Sequence, residues 1–167
     1  MSTAFFVFAQ LAVIAYAAVG GVFLAFSDFI MRSLARTGGH GGIDAMQTIN
    51  REVFRWIFMA LFLGLAAVSL LLMAIGLTQV GGIAGVQIAL AGLTYLVGCF
   101  LVTVVFNVPM NEALARMNLS STATRDYWTG TYLPRWTFWN TVRAGACMVA
   151  AGLLLLGLTG LVRLPGA

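Results

Sequence analysis

Four stretches of the chain are nearly free of polar side chains: about Ala4 to Phe26, Ile57 to Leu77, Ile83 to Phe106 and Ala144 to Leu161. Each comes near the roughly 20 apolar residues that carry a helix across the hydrocarbon of a bilayer. A backbone in lipid must satisfy its own hydrogen bonds, so the pattern predicts an all-α integral membrane four-helix bundle, one domain over residues 1–167. Polar residues return between the runs, still at helical spacing. SDFIMRSLART prolongs the first span until GGHGG breaks it, and IDAMQTINREVF resumes a helix that leads into the second. TQVGG reads as a tight turn. The third span passes Pro109 and continues to about Asn118, SSTATRD makes a polar break rich in capping residues, and from about Tyr132 the chain is helical again. One end of the bundle therefore carries helical extensions and two substantial loops. The opening MSTAFFVFAQ has no arginine and runs straight into a full-length apolar segment, the pattern of a retained span rather than of a cleaved signal.

Composition agrees with the pattern. Of 167 residues, 61% are hydrophobic and 8% charged, and the mean hydropathy is +0.98, against the ~25% charged usage of soluble domains. Arginine placement sets an orientation. Arg32, Arg36, Arg51 and Arg55 flank the first loop and Arg116, Arg125, Arg135 and Arg143 the third, whereas the second loop has none and the C-terminus only Arg163. The positive-inside rule then predicts that loops one and three are cytoplasmic and both termini outside, in what we expect to be a bacterial inner membrane. All the acids, Asp28, Asp44, Glu52, Glu112 and Asp126, fall on that same inner side. The net charge of +4 is interleaved with acids and forms no basic cluster, so topology accounts for it and no nucleic-acid partner is expected. The absence of lysine excludes Schiff-base and lysine-base chemistry. Cys99 and Cys147 lie within spans and outside any CxxC pair, which points to structural thiols. Gly85 and Gly92, like Gly145 and Gly152, recur after seven residues and predict close helix packing, within the bundle or in a homo-oligomer.

Chemistry collects at the inner border. In NVPMNEAL, Pro109 frees the carbonyl of Val105, and Asn107 and Asn111, four residues apart, lie on one face around that bend, where they either repair it or hold a polar ligand. In RWTFWNTVR, Trp136, Asn140 and Arg143 fall at i, i+4 and i+7, with Trp139 beside them. Tryptophans and an arginine suit an interfacial belt; Asn140 does not, because a buried amide needs partners. Asn50 poses the same question within INREVFRWIF, where Met46, Asn50 and Val53 share a face of a helix that an amphipathic segment lying on the membrane would explain. Asp28 and Glu112 stand four residues before Arg32 and Arg116, the order of a helical ion pair; turned inward, either becomes a candidate base. His40 in TGGHGG is the only histidine, a third candidate base or an axial haem ligand, and one histidine makes no typical metal site. No tightly bound metal or cofactor is expected; a haem on His40 or a carboxylate-held metal is the alternative.

GVFLAFSDFIMRSLA, the following MQTIN, NVPMNEAL and WTFWNTVR, taken in this order, resemble the anthrone-oxygenase-like family of small four-helix membrane proteins. The resemblance implies an oxygenase that converts an anthrone to an anthraquinone with dioxygen, without flavin or metal, with roles for Asn107, Asn111, Trp136, Trp139, Asn140 and Arg143 and, less directly, for Asn50 and Asp28. The residues suit that chemistry. Removing one proton from an anthrone gives an electron-rich enolate able to meet oxygen directly, so the protein needs an apolar slot (Trp136, Trp139), a base (Asp28, Glu112 or His40) and donors for the enolate oxygen (Asn107, Asn140 or Arg143). The implied partners are a hydrophobic small-molecule substrate, dioxygen and membrane lipid. The competing reading is a non-enzymatic membrane binding or accessory protein for a quinone or lipid-like molecule. A transporter is disfavoured, since the outer half carries no intramembrane charged side chain and no inverted repeat is apparent.

The topology is checked by impermeant thiol labelling of intact cells. A cysteine at Gly41→Cys is expected to stay unlabelled while a C-terminal tag cysteine reacts; labelling of the loop position reverses the orientation.

Overall fold

A computed structural model describes residues 2–55 and 57–162. It contains four helices long and apolar enough to cross a membrane: α1 (Thr3–Arg36), α3 (Ile57–Val80), α4 (Gly82–Ala115) and α5 (Thr122–Val162). A shorter α2 (Gly41–Glu52) lies between α1 and α3. No strand occurs among the described residues, and the chain is an all-helical integral membrane protein. Arg163 lies outside the described residues. Ser2 caps α1 by accepting the Phe5 amide, and Ser121 caps α5 by accepting that of Ala123.

The long helices exceed the apolar runs. α5 begins at Thr122, ten residues before the expected restart at Tyr132, so TATRD is its first turn rather than part of a break. Helix continues through Gly130 and Pro134 because the backbone widens into a π turn at Trp128–Tyr132, closed by Leu133 N–H donating to the Trp128 carbonyl. α4 uses the same device: a π turn at Thr103–Asn107 ends with Val108 N–H donating to the Thr103 carbonyl, directly before Pro109. In both helices the residue before proline reaches back five positions instead of four, and the ring then follows without breaking the rod. The turn read from TQVGG narrows to Gly81 and Gly82, with φ of 65° and 58°, values that favour glycine.

α5 lies against both α1 and α4, α4 against α3, and α3 makes a smaller contact with α1. Tyr16, Leu72, Ile88, Tyr95 and Leu154 fill the centre of the bundle, while Ile14, Leu70, Ile83 and Leu155 remain exposed on the outside, as a lipid-facing surface requires. The buried hydroxyls are all paired: Tyr16 Oη and Ser69 Oγ lie 2.6 Å apart, and Tyr95 donates to the Phe62 carbonyl at 2.8 Å. At one end α3 and α4 are pinched together. A Cβ on Gly92 would press into the Ser69 carbonyl, and one on Gly85 into that of Gly76. Gly145 and Gly152 have open space where a Cβ would go, so only one of the two expected glycine faces packs within the bundle.

The opposite end is closed by α2, whose apolar face is turned onto the bundle. Ile43 and Met46 are buried against Met31, Leu114, Trp128 and Tyr132, and Gln47 donates to the Leu114 and Met117 carbonyls at 2.7 and 3.2 Å. These carbonyls lie at and just past the end of α4, where Gln47 adds a second donor to Leu114, already bonded by the Met117 N–H, and a donor to Met117.

The glycine contacts make a contrast measurable by unfolding in detergent. Gly92→Ala is expected to cost about 1–3 kcal/mol, because backbone must move, whereas Gly152→Ala is expected to be neutral or slightly stabilising.

Candidate functional site

Away from the glycine pinch, α3 and α4 are held apart by phenylalanines: Phe62 stacks on Phe100 with ring centroids 5.6 Å apart, and Phe58 lies parallel to Phe62 at 6.5 Å. The space beyond them is a cavity of about 260 Å³ that all five helices line. Its walls are largely apolar and in part aromatic, with Phe23 and Phe26 from α1, Phe58 and Phe62 from α3, and Trp136 from α5. Met46 and Asn50 from α2 cover the end. The size sits near the lower end of the roughly 300–1,000 Å³ of small-molecule sites, and the mostly apolar lining with a few polar groups is typical of them.

Those polar groups are tied together. Asn111 Oδ1 accepts from both Tyr132 Oη and Trp136 Nε1, each at 2.7 Å, and Asn50 Nδ2 donates to the Tyr132 hydroxyl at 3.2 Å. This joins α2, α4 and α5 and fixes the plane of the Trp136 indole, on which Tyr132 stacks at 16° between planes. Asn111 Nδ2 and Asn50 Oδ1 have no partner among the described residues. Asn107, wholly buried, donates to the Trp136 carbonyl at 3.3 Å, while its Oδ1 has no partner. Neither asparagine therefore caps the carbonyl of Val105; both reach across to α5.

Asn140 is also wholly buried. Its Nδ2 donates to the Phe23 carbonyl at 2.6 Å and to Ser27 Oγ at 2.7 Å, and its Oδ1 accepts from Arg143 Nη2 at 2.7 Å. All its capacity goes into fastening Arg143 to α1. Arg143 is 5% exposed, with its guanidinium carbon 4.2 Å from the centroid of the Phe23 ring and 5.3 Å from that of Trp136. Nη1 donates to Thr103 Oγ1 at 3.3 Å, and Nε has no partner. The ion pairs among the described residues are Asp28–Arg32, Glu52–Arg55 and Glu112–Arg116, so Arg143 is a buried cation without a carboxylate.

Asn50, Asn111, Trp136, Asn140 and Arg143 thus meet at one cavity, with Asn107 directly behind Trp136. Trp139 does not join them: it stacks on Phe106 at 3.7 Å, off the cavity wall. Asp28 and Glu112 do not turn inward either. Both are exposed and paired to their arginines at 2.8 and 3.2 Å, since each stands one residue, about 100° of helix, beyond the inward-facing Ser27 and Asn111. His40 precedes α2, half-buried, with Nδ1 unpartnered and away from the cavity. Tyr132, Thr103, Ser27 and Gln47 take part without having been singled out from the sequence. Thr103 stands four residues before Asn107, a spacing that carried the signal. Tyr132 was read only as the point where the helix restarts.

The fold and site define a small helical membrane protein built around one aromatic, arginine-bearing cavity. The chain belongs to the anthrone oxygenase family, whose family model matches residues 50–153. No curated protein and no solved structure matches it.

The shared acceptor on Asn111 is open to a double-mutant cycle. Tyr132→Phe and Asn111→Ala are each expected to lower unfolding stability by about 1–2 kcal/mol, with a coupling of about 0.5–1.5 kcal/mol between them; strict additivity would mean that the bond contributes nothing.

Proposed function

We propose that the chain is a membrane-embedded oxygenase that converts an anthrone-like polycyclic aromatic to the corresponding quinone with dioxygen, inside this cavity. The observation that carries the reading is the combination of flat aromatic walls with one buried, carboxylate-free arginine, because a ring system stacks on the former and an enolate oxygen needs the latter. Membership of the anthrone oxygenase family supplies the substrate class.

In an anthrone the central methylene lies between two aryl rings and is conjugated to a ketone. Loss of one proton leaves an enolate whose charge is shared by the oxygen and that carbon. Arg143, which spends one N–H of Nη1 on Thr103 and one of Nη2 on Asn140, and the Asn111 amide line the cavity and supply the donors that hold the oxygen. The carbon passes one electron to dioxygen, the two radicals combine in a C–O bond, and the peroxide takes up a proton. Loss of the second hydrogen of that carbon as a proton then breaks the O–O bond, forms the second carbonyl and releases water. One dioxygen is consumed per anthrone. With loops one and three on the inner side, the cavity lies at the cytoplasmic leaflet, where a poorly soluble polycycle partitions.

Protein purified in detergent is expected to form anthraquinone from anthrone faster than empty micelles do, with equimolar oxygen uptake. Asn140→Leu, which unfastens Arg143, is expected to lower the rate at least ~100-fold, the scale of losing one oxyanion donor. Binding of the polycycle without quinone formation would instead fit a membrane binding protein.

A further inference from the structure

We propose that the site takes its aromatic substrate as the anion, with Arg143 drawing the ionisation and solvent water, not a side-chain base, accepting the proton. The proposal rests on the oxygenase reading for the identity of the ring system, and on three observations for the chemistry.

First, the cavity wall holds no base. All the acidic side chains, Asp28, Asp44, Glu52, Glu112 and Asp126, are exposed, and His40 lies away from the lining. Second, Arg143 is a buried charge whose compensation is incomplete. One bond each to Asn140 and Thr103 and two aromatic faces hold it in place, yet Nε is unpartnered and no acid neutralises it. A buried cation in that condition favours any anion that can enter. Third, nothing nearby competes for that role. The titratable groups that act on Arg143 are Cys99 on α4 and Tyr132 and Cys147 on α5, all neutral in their ordinary state at pH 7; α1, α2 and α3 line the cavity without a titratable side chain.

A carboxylate base beside Arg143 would pair with it, which would weaken the base and cancel the field that stabilises the enolate. The site has the field without the base. An anthrone interconverts with its enol in solution, and the enol O–H is the bond that breaks: the electron pair stays on the oxygen beside Arg143 and the proton leaves as hydronium. The same reasoning assigns the ligand class more broadly as flat aromatic compounds with an acidic hydroxyl, in preference to neutral quinones of the same shape.

The test uses 2-hydroxyanthraquinone, a planar phenol with no methylene to oxidise, whose visible band moves on ionisation. Full-length protein in excess is titrated with pH in 0.5 M salt, where exposed arginines are screened. The ionisation midpoint of the bound probe is expected to fall by at least about one pH unit below its value in empty micelles, a tenfold preference for the anion, and Arg143→Met is expected to bring it back. A wild-type midpoint equal to or above the micelle value overturns the proposal, and that comparison decides alone should Arg143→Met fail to fold. Anthrone turnover with an unshifted probe removes this inference and leaves the oxygenase reading. A shifted probe without turnover supports anion selection and removes the oxygenase.

Discussion

The hydrogen bond from Arg143 to Asn140 is the joint on which the polar interior depends. In an apolar bundle a guanidinium must be anchored by side chains that are themselves satisfied, and Asn140 meets that condition by spending its amide on the backbone of α1 and on Ser27. The arginine then sits between Phe23 and Trp136, Trp136 is oriented by Asn111, and Asn111 also takes the Tyr132 hydroxyl. Each residue restrains the next, so the arrangement behaves as one network.

Shape and chemistry arise from the same pair of helices. α3 and α4 are joined by two glycines and drawn together where glycines let backbone meet backbone, and further along they diverge around phenylalanines. The result is a wedge with its wide end under α2. Small residues at one end and aromatic ones at the other therefore determine where a cavity can exist before any polar residue is placed.

The membrane spans were legible because lipid imposes a simple rule on sequence, and the apolar runs Ala4 to Phe26 and Ile83 to Phe106 fall inside the observed helices. The reach of α5 back to Thr122 was not, since SSTATRD read as a polar break, whereas the helix starts within it and is held by a π turn at Trp128–Tyr132 and by the burial of Trp128 and Tyr132 against α2. At the site, residues out of character with their surroundings were visible, an amide at Asn140 and an amide at Asn50, while Arg143 also suited an interfacial belt. The facing of Asp28 and Glu112 was not visible, because neighbours in sequence diverge by a quarter turn or more on a helix. Nor was the separation of Trp136 from Trp139, which depends on the stack that Phe106 offers on the far side.

The π turns set the reading frame of the site. Such a turn is one residue more than an α-helix needs, and the one at Thr103–Asn107 lies between the half of α4 that packs on α3 and the half that carries Asn111. Everything beyond it is rotated relative to what lies before. Losing a single residue there would leave α4 helical and just as apolar, yet would swing Asn111 and its acceptor oxygen by roughly 100°, away from Trp136 and Tyr132. Composition, hydropathy and helix content would all be preserved while the network came apart, so in chains built this way an insertion or deletion within a span is a change of function before it is a change of fold.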